Sequence, residues 1–110
     1  MIKGIGTDIV DNMRFSDPDK FIKKILSEKE IERYNKNSSI DSKICYIGVR
    51  FAAKEALYKA GLIYPFNQIS ILNKENGAPF VEAPNIDGII HISLSHEKQY
   101  SIAYVIYEDF

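Results

Sequence analysis

The middle of the chain carries the stretch RFAAKEALYKA at residues 50–60, and the interpretation of the rest of the sequence starts from it. At roughly 100° per residue, its small apolar side chains fall on one helical stripe. That stripe consists of Val49, Ala53, Ala56, Leu57 and Ala60. Alanine side chains let a helix approach a sheet closely. We therefore predict one long helix over residues 40–61, ending near Gly61 and packed on a sheet.

Two polar flanks border this stripe. Arg50 and Lys54 lie one turn apart on one flank, and Glu55 and Lys59 lie one turn apart on another. The carboxylate beside an amine is either a functional pair or an ordinary surface ion pair, which contributes roughly 0.3–0.5 kcal/mol. The helix alone leaves both interpretations open.

The start of the chain has the alternation of a strand. Over residues 2–10, Gly4, Gly6 and Asp8 share one face. The two glycines leave room above the strand for another element or a ligand. Aspartate is disfavoured in strands and costly to bury without a partner. Asp8 is therefore either a functional carboxylate or a partly exposed residue of an edge strand.

Two shorter helices are predicted between the strand and the long helix. The first covers residues 18–26, with Asp17 as its N-cap. The second begins at a capping box formed by Ser27 and Glu30 and ends near Tyr34.

The chain after the long helix changes to a period of two. An Asn76-Gly77 turn is a strong hairpin signal between the first two of its strands. The predicted strands are Gln68–Leu72, Phe80–Glu82, Ile89–Ser95 and Tyr100–Tyr107. One N-terminal strand, three helices and then an antiparallel sheet favour an α+β fold, with residues 1–110 as a single domain.

A histidine stands where the third of these strands ends. His96 follows Ser95, a position from which it can face a ligand, although a strand terminus needs no functional explanation. No phosphate loop, zinc cluster or nucleophile elbow accompanies it.

Charge is unevenly distributed along the chain. Residues 1–60 hold 12 Lys/Arg against 9 Asp/Glu, whereas residues 61–110 hold 2 against 6. The basic first half suggests an anionic partner, or is a chance imbalance of solvated faces. The net charge of −1 and the few basic residues in the strands argue against a nucleic-acid partner.

Three further features concern the compartment. Cys45 is the only cysteine, which suits a reducing environment. No apolar run reaches membrane-spanning length, and the first residues lack a signal-peptide pattern. We therefore expect a cytoplasmic protein that does not contact the membrane.

Taken together, these segments resemble the holo-acyl-carrier-protein synthase family, the small phosphopantetheinyl transferases. The resemblance covers essentially the whole chain in order, spacing and length. It rests on GIGTDIV at 4–10 with Arg14, RFAAKEA at 50–56 with Lys59, Asn76-Gly77 with Pro79, and SLSH at 93–96. It implies a 4′-phosphopantetheinyl transferase-like fold. It also implies transfer of the 4′-phosphopantetheine group from coenzyme A to a serine of apo-acyl carrier protein, releasing adenosine 3′,5′-bisphosphate.

The resemblance also implies roles for individual residues. Asp8 and Glu55 would bind Mg²⁺, with Mn²⁺ as an alternative, and Lys59 would lie near the reacting phosphate, so these three would be catalytic. Either Glu55 or a metal-bound water would take the serine proton. The coenzyme A pocket would be lined by Arg50, Lys54, Asn76, Gly77, Pro79, Ser95 and His96.

The partners follow from the same resemblance. An acidic acyl carrier protein would dock on Arg14, Lys20, Phe21 and Lys24. The protein would form a homotrimer with its active sites between subunits, as suits a chain too small for a deep pocket. The last strand offers Ile102, Ala103, Val105 and Tyr107, either as a subunit surface or as part of the core of one chain.

The sequence departs from the family pattern at three places. Ala78 stands where lysine is usual, Glu97 stands where threonine is common, and Gly61-Leu62 lacks a later glycine pair. These departures concern the coenzyme A pocket and leave Asp8, Glu55 and Lys59 untouched. The alternative function is a non-catalytic coenzyme A or carrier-protein binding protein, against which the presence of Asp8, Glu55 and Lys59 argues.

Overall fold

Two antiparallel sheets and one long helix form the structure, a computed structural model that describes all residues from Met1 to Phe110. The larger sheet has the strand order β1-β5-β4, and the smaller one pairs β2 with β3. The strands are β1 (Ile2–Asp11), β2 (Ser70–Asn73), β3 (Pro79–Glu82), β4 (Ile89–His96) and β5 (Tyr100–Glu108). The helices are α1 (Ile22–Ile25), α2 (Glu28–Tyr34) and α3 (Ile40–Lys59), with short 3-10 turns at Asn12–Phe15, Pro18–Phe21 and Phe66–Gln68. The predicted α+β fold class is confirmed.

Helix α3 packs directly on β1, and the space above the two glycines is filled by the helix. A Cβ atom on Gly4 would lie 2.0 Å from the Ala60 carbonyl oxygen, and one on Gly6 would lie 1.8 Å from that of Ala56. The predicted apolar stripe of α3 is buried at every position. The backbones of strand and helix therefore meet at a distance that no larger residue permits.

The ends of α2 and α3 are as the sequence predicts. Ser27 and Glu30 form the capping box, with each side chain accepting a hydrogen bond from the other residue's backbone N–H. Gly61 follows α3 with φ +101°, and Leu62 N–H donates to the Leu57 carbonyl at 2.9 Å. Glycine fits this left-handed position because it has no Cβ.

The predicted helix over residues 18–26 is wrong in form. Pro18–Phe21 is a 3-10 turn, and only the single turn α1 follows it. Asp17 makes no capping hydrogen bond and instead lies 3.7 Å from Lys20. So short a segment cannot sustain a helix by itself, and its geometry is set by packing. Phe21 turns inward, with its ring centroid 5.0 Å from that of Phe15.

Strand β5 alternates strictly between the core and the outer face of the larger sheet. Ala103, Val105 and Tyr107 are buried in the core of the chain, so for these three residues the alternative of a core face holds. Ile102 does face outward, as do Tyr104 and Ile106 on the same strand. Ile5 and Ile9 of β1 extend this outer face, to which the name apolar sheet face is given below.

None of the helices combines the length and the apolar character needed to cross a lipid bilayer.

Candidate active site

The contact between β1 and α3 brings Asp8 and Lys59 together. The Lys59 Nζ atom lies 3.2 Å from Asp8 Oδ1 and donates to the Thr7 carbonyl at 3.1 Å. The Asp8 side chain is mostly covered, with 17% of its surface exposed, whereas that of Lys59 is half exposed. Asp8 is thus a partnered carboxylate on the helix-facing side of the strand, at the surface where strand and helix meet.

Glu55 lies one turn before Lys59 on α3 and is half-buried. Its carboxylate makes no hydrogen bond or ion pair, so the alternative of a Glu55–Lys59 surface pair is not what the structure has. Asp8, Glu55 and Lys59 together form what we call the carboxylate site.

The donor chemistry of the carboxylate site fits magnesium. Mg²⁺ is commonly held by one or two carboxylates, with water and substrate phosphate oxygens as the remaining ligands. The chain offers no cluster of three or more His, Cys, Asp and Glu residues that would enclose a metal by itself. Asp8 and Glu55 therefore suit a cation that arrives with, or is completed by, a phosphate-bearing substrate.

Arg50 and His96 are brought together elsewhere on the surface. Both line a groove between the first half of α3 and the β4–β5 turn, which also includes Ser42, Tyr46 and Lys98. We call it the histidine groove. The Arg50 side chain is almost buried and stacks on the Tyr46 ring, with its Cζ atom 3.8 Å from the ring centroid.

Arg50 also borders a second groove, named here the lysine groove. Its residues include Lys29, Arg33, Lys36, Tyr46, Arg50, Asn73 and Lys74. Arg50 Nη2 donates to the Ile71 carbonyl and to Asn73 Oδ1, both at 3.2 Å, while Nε has no hydrogen-bond partner. Tyr46 was not among the predicted site residues, although its position one turn before Arg50 on the predicted helix indicates it.

Lys54 requires a correction. Its side chain is fully buried, and Nζ donates to the Ile25 and Phe66 carbonyls and to the Glu30 carboxylate. Burial lowers the pKa of Lys54 to about 8, against the opposing effect of Glu30. Because Lys54 has no exposed surface, the prediction that it lines a coenzyme A pocket is wrong.

Glu30 is the buried partner that the sequence analysis did not assign. Besides Lys54, its carboxylate accepts from the Ile71 backbone N–H at 2.8 Å and lies 3.9 Å from Arg50 Nε. This network ties α2, α3 and β2 together. The sequence did indicate such a partner, because Lys54 lies in an alanine-rich segment and a buried lysine needs a buried counter-ion.

The predicted pocket residues Asn76, Gly77 and Pro79 lie at the tip of the β2–β3 hairpin. Gly77 has φ +89°, and Asn76 Oδ1 accepts from the Ala78 N–H at 3.0 Å, so the predicted Asn-Gly turn is present. The hairpin adjoins the lysine groove through Asn73 and its neighbours. Ser95, in contrast, is exposed on β4 and lines neither groove.

The predicted docking residues lie close together in sequence but differ in exposure. The Arg14 guanidinium lies 4.9 Å from the Phe51 ring centroid, and Lys20 and Lys24 are exposed. Phe21 is half-buried against the core, so its ring is only partly presented to a partner.

The carboxylate site is separate from both grooves within one chain. Neither groove is lined by Asp8, Glu55 or Lys59. One chain thus carries the carboxylate site and, apart from it, two grooves that share Arg50 and Tyr46.

The sequence and the α+β fold of this chain are both matched by a known class of transferase. The model of the 4′-phosphopantetheinyl transferase superfamily matches residues 4–105. The holo-[acyl-carrier-protein] synthase of Anoxybacillus flavithermus is 42% identical, covering 98% of this chain and 97% of the relative. That of Acholeplasma laidlawii is 39% identical, covering 98% of both. The chain therefore belongs to the holo-acyl-carrier-protein synthase family within this superfamily.

Solved structures agree with this assignment. The holo-(acyl-carrier-protein) synthase of Bacillus anthracis, in complex with CoA (3′,5′-ADP), superposes with a TM-score of 0.92 at 32% identity, covering 100% of this chain and 99% of that one. The Helicobacter pylori holo-[acyl-carrier-protein] synthase, in complex with coenzyme A, gives a TM-score of 0.78 at 27% identity, covering 94% and 99%.

Proposed function

We propose that this chain transfers the 4′-phosphopantetheine group of coenzyme A to a serine of apo-acyl carrier protein and releases adenosine 3′,5′-bisphosphate. The carrying observation is the carboxylate site, which unites Asp8, Glu55 and Lys59 at the surface where β1 meets α3. Relatives named for this activity match over nearly the whole chain. We take residues 1–110 as one domain. We also take it to act in the cytoplasm, because a reducing compartment keeps an unpaired cysteine such as Cys45 in its thiol form.

Asp8 and Glu55 would hold Mg²⁺, or Mn²⁺ in its place. When bound, the cation neutralises charge on the diphosphate of coenzyme A. Lys59 already reaches an anionic oxygen of Asp8, and its flexible stem allows it to turn to a phosphate oxygen as a point charge.

The transfer itself is an in-line displacement. The serine hydroxyl of the carrier attacks the β-phosphorus of coenzyme A, forming one P–O bond. The bond from that phosphorus to the bridging oxygen breaks, and adenosine 3′,5′-bisphosphate leaves with the bridging oxygen. Glu55 or a water molecule takes the serine proton. Lys59 stabilises charge on the departing side.

The histidine groove would take the phosphorylated nucleotide end of coenzyme A. Arg50 and Lys98 place cationic groups along it, together with the polar His96 and with Asp41, and arginine is suited to phosphate recognition. The β2–β3 hairpin with Asn76, Gly77 and Pro79 would border the adenine. Ser95 is exposed on β4 and lies outside the histidine groove of its own chain. It would therefore contact only a part of coenzyme A that lies outside that groove.

We further propose a homotrimer in which each active site combines two chains. Since the carboxylate site and the grooves are separate within one chain, a neighbouring copy can bring them together. The apolar sheet face, with Ile5, Ile9, Ile102, Tyr104 and Ile106 exposed, offers a surface for this association.

Intact-mass spectrometry of an apo-acyl carrier protein tests the function. Incubation with this protein, coenzyme A and Mg²⁺ should add the mass of one phosphopantetheine group, whereas a carrier with its acceptor serine replaced by alanine, or a reaction with chelator, should stay unmodified. A carrier that binds but gains no mass under these conditions would favour the alternative of a non-catalytic binding protein.

A further inference from the structure

We propose that Asn12 is a positioning residue that holds the β4–β5 turn so that His96 and Lys98 face the histidine groove. The inference rests on the proposed function only for the ligand of that groove, the phosphorylated end of coenzyme A. The turn itself is described by the structure.

Asn12 is fully buried directly after β1 and hydrogen-bonds to three consecutive carbonyls of the turn. Its Nδ2 donates to Glu97 O at 3.0 Å and to Lys98 O at 3.2 Å. Its backbone N–H donates to Gln99 O at 2.6 Å. One residue from the other edge of the sheet thus fixes the backbone of the whole turn.

The turn has little other support. Residues 97–99 are all exposed, and their side chains make no hydrogen bonds. Inside the turn, Glu97 N–H donates to Tyr100 O at 2.9 Å, and the Cys45 thiol lies 3.9 Å from Glu97 O. Without the Asn12 side chain, the turn would keep the backbone bonds at Gln99 and Tyr100, but the Glu97 and Lys98 carbonyls would lose their main partner and become more mobile.

The surroundings of Asn12 are shaped for a carboxamide. The buried Ser101 hydroxyl donates to Asn12 Oδ1 at 2.7 Å. A Cβ on Gly48 would lie 2.1 Å from the same oxygen, so glycine in α3 makes room for it. A buried amide is retained at little net cost only when its donors and acceptor are satisfied, and here all of them are.

A displaced β4–β5 turn would change the shape of the histidine groove. His96 is the last residue of β4 and Lys98 is in the turn, and both line the histidine groove with Arg50. Small displacements of charged groups weaken a phosphate contact, because the hydrogen bonds depend on distance and angle.

The test compares Asn12→Leu and Asn12→Asp with the native protein. Leucine keeps the size but loses the side-chain bonds to Glu97 O, Lys98 O and Ser101, while the backbone bond to Gln99 O stays. Aspartate can still accept from Ser101 but sets a carboxylate oxygen against two carbonyls. Both variants should raise the KM for coenzyme A on the order of 10-fold, with the KM for the carrier protein unchanged. Adenosine 3′,5′-bisphosphate should bind correspondingly more weakly in calorimetry.

Tyr107→Phe provides the matched control, since Tyr107 is buried, donates to the Asp87 carbonyl at 2.7 Å and lies near the end of β5 opposite the turn. It should lower stability without raising the KM for coenzyme A. If the Asn12 variants fail to fold, Ser101→Ala removes one bond to Asn12 and should raise the same KM more modestly. An unchanged KM in the folded variants, or an equal rise in the control, would overturn the inference.

Failure of the proposed function is distinguishable from failure of this inference. If the native chain transfers nothing, amide hydrogen exchange still applies. Asn12→Leu should speed exchange at Glu97 while the amides of α3 stay protected, and unchanged exchange at Glu97 would overturn the role of Asn12.

Discussion

Lys59 contacts one oxygen of Asp8, one of the two carboxylates proposed to hold a cation. The amine neutralises a carboxylate that is mostly shielded from water, and Glu55 beside it is left without a partner. In the isolated chain, Lys59 therefore balances the negative charge of Asp8, whereas the negative charge of Glu55 has no ion-pair partner. A divalent cation would balance both and leave Lys59 available for a phosphate oxygen.

Asp8→Asn and Glu55→Gln should each lower turnover by about 100-fold or more, because each removes a charged oxygen ligand from a metal-assisted phosphoryl transfer. Steady-state rates at several Mg²⁺ concentrations measure this, with circular dichroism to show that the fold is kept. Glu28→Gln, an exposed carboxylate of α2, is the control. Near-native activity of either variant would remove that residue from the metal site.

The buried Lys54 predicts a pH effect on stability. Its pKa of about 8 in the folded protein lies below the ordinary value of 10.5, owing to burial. Between these two values the unfolded chain binds more protons than the folded one, so Lys54 makes stability rise with pH over this window. The free energy of unfolding of the native protein, relative to Glu30→Gln/Lys54→Met, should therefore increase from pH 8 to 10.5 in denaturant titrations. A constant or falling difference would contradict the depressed pKa.

The contrast between Glu55 and Lys54 shows which site residues sequence could give. Glu55 was assigned from the family resemblance, and on α3 it lies one helical turn before Lys59, which contacts Asp8. Lys54 is its neighbour in the same motif, yet its direction is set by Glu30, 24 residues earlier. A motif gives residue types and spacing, whereas burial depends on which distant element covers each side of the helix.

At the scale of elements, the packing contact between β1 and α3, called the seam below, determines the geometry of the carboxylate site. Asp8 is mounted on the strand, and Glu55 and Lys59 are mounted on the helix. Their separation depends on how closely two backbones approach, and Gly4 and Gly6 make that approach possible.

Gly6→Ala should destabilise the protein by about 1–3 kcal/mol or more, because the added methyl meets a helix carbonyl that only a shift of α3 can move. The control is Gly61→Ala, where nothing lies within 4 Å and only the positive φ is strained, at about 1–2 kcal/mol. Thermal unfolding compares the two, and activity should fall more for Gly6→Ala. Equal activity in both variants would mean that the seam does not control the site.

Elements with local signals were predictable, and those shaped by packing were not. The capping box of α2, the glycine after α3 and the Asn-Gly hairpin each depend on a few adjacent residues. The 3-10 turn at Pro18–Phe21 instead follows the inward packing of Phe21 on Phe15, which no local pattern encodes. Likewise, β2 starts later than predicted because Phe66–Gln68 forms a 3-10 turn.

At the scale of the whole molecule, a shared active site predicts complementation. A His96→Ala chain keeps the carboxylates, and a Glu55→Gln chain keeps the groove. Mixed by co-refolding in equal amounts, they should regain up to about a quarter of native activity, since one in four random interfaces in a symmetric ring is intact. Sedimentation must show native-size mixed assemblies. Mixed trimers without regained activity, or an active monomer, would contradict shared sites.

Carrier docking is a second property of the whole surface. Lys20→Glu/Lys24→Glu replaces attraction for an acidic partner by repulsion. The KM for the carrier should rise several-fold and lose salt sensitivity while that for coenzyme A holds, because peripheral charges act on association. Kinetics at two salt concentrations measure this, with Lys43→Glu on α3 as the control. An unchanged KM for the carrier would place docking on another surface.

The pairing of β1 with β5 also determines when the larger sheet can form during synthesis of the protein. Ile9 pairs with Ile102 and Asp8 with Ala103, so the strand made first must wait for the one made last. At 5–20 residues per second, a ribosome needs roughly 5–20 s to bridge that interval. Helix α3 can form in the nascent chain during this interval. Strand β1, in contrast, has no strand with which to form hydrogen bonds until β5 has emerged from the exit tunnel. Asp8 is thus translated well before Ala103, the residue with which it pairs, and its backbone is fixed in the sheet only after Ala103 has emerged.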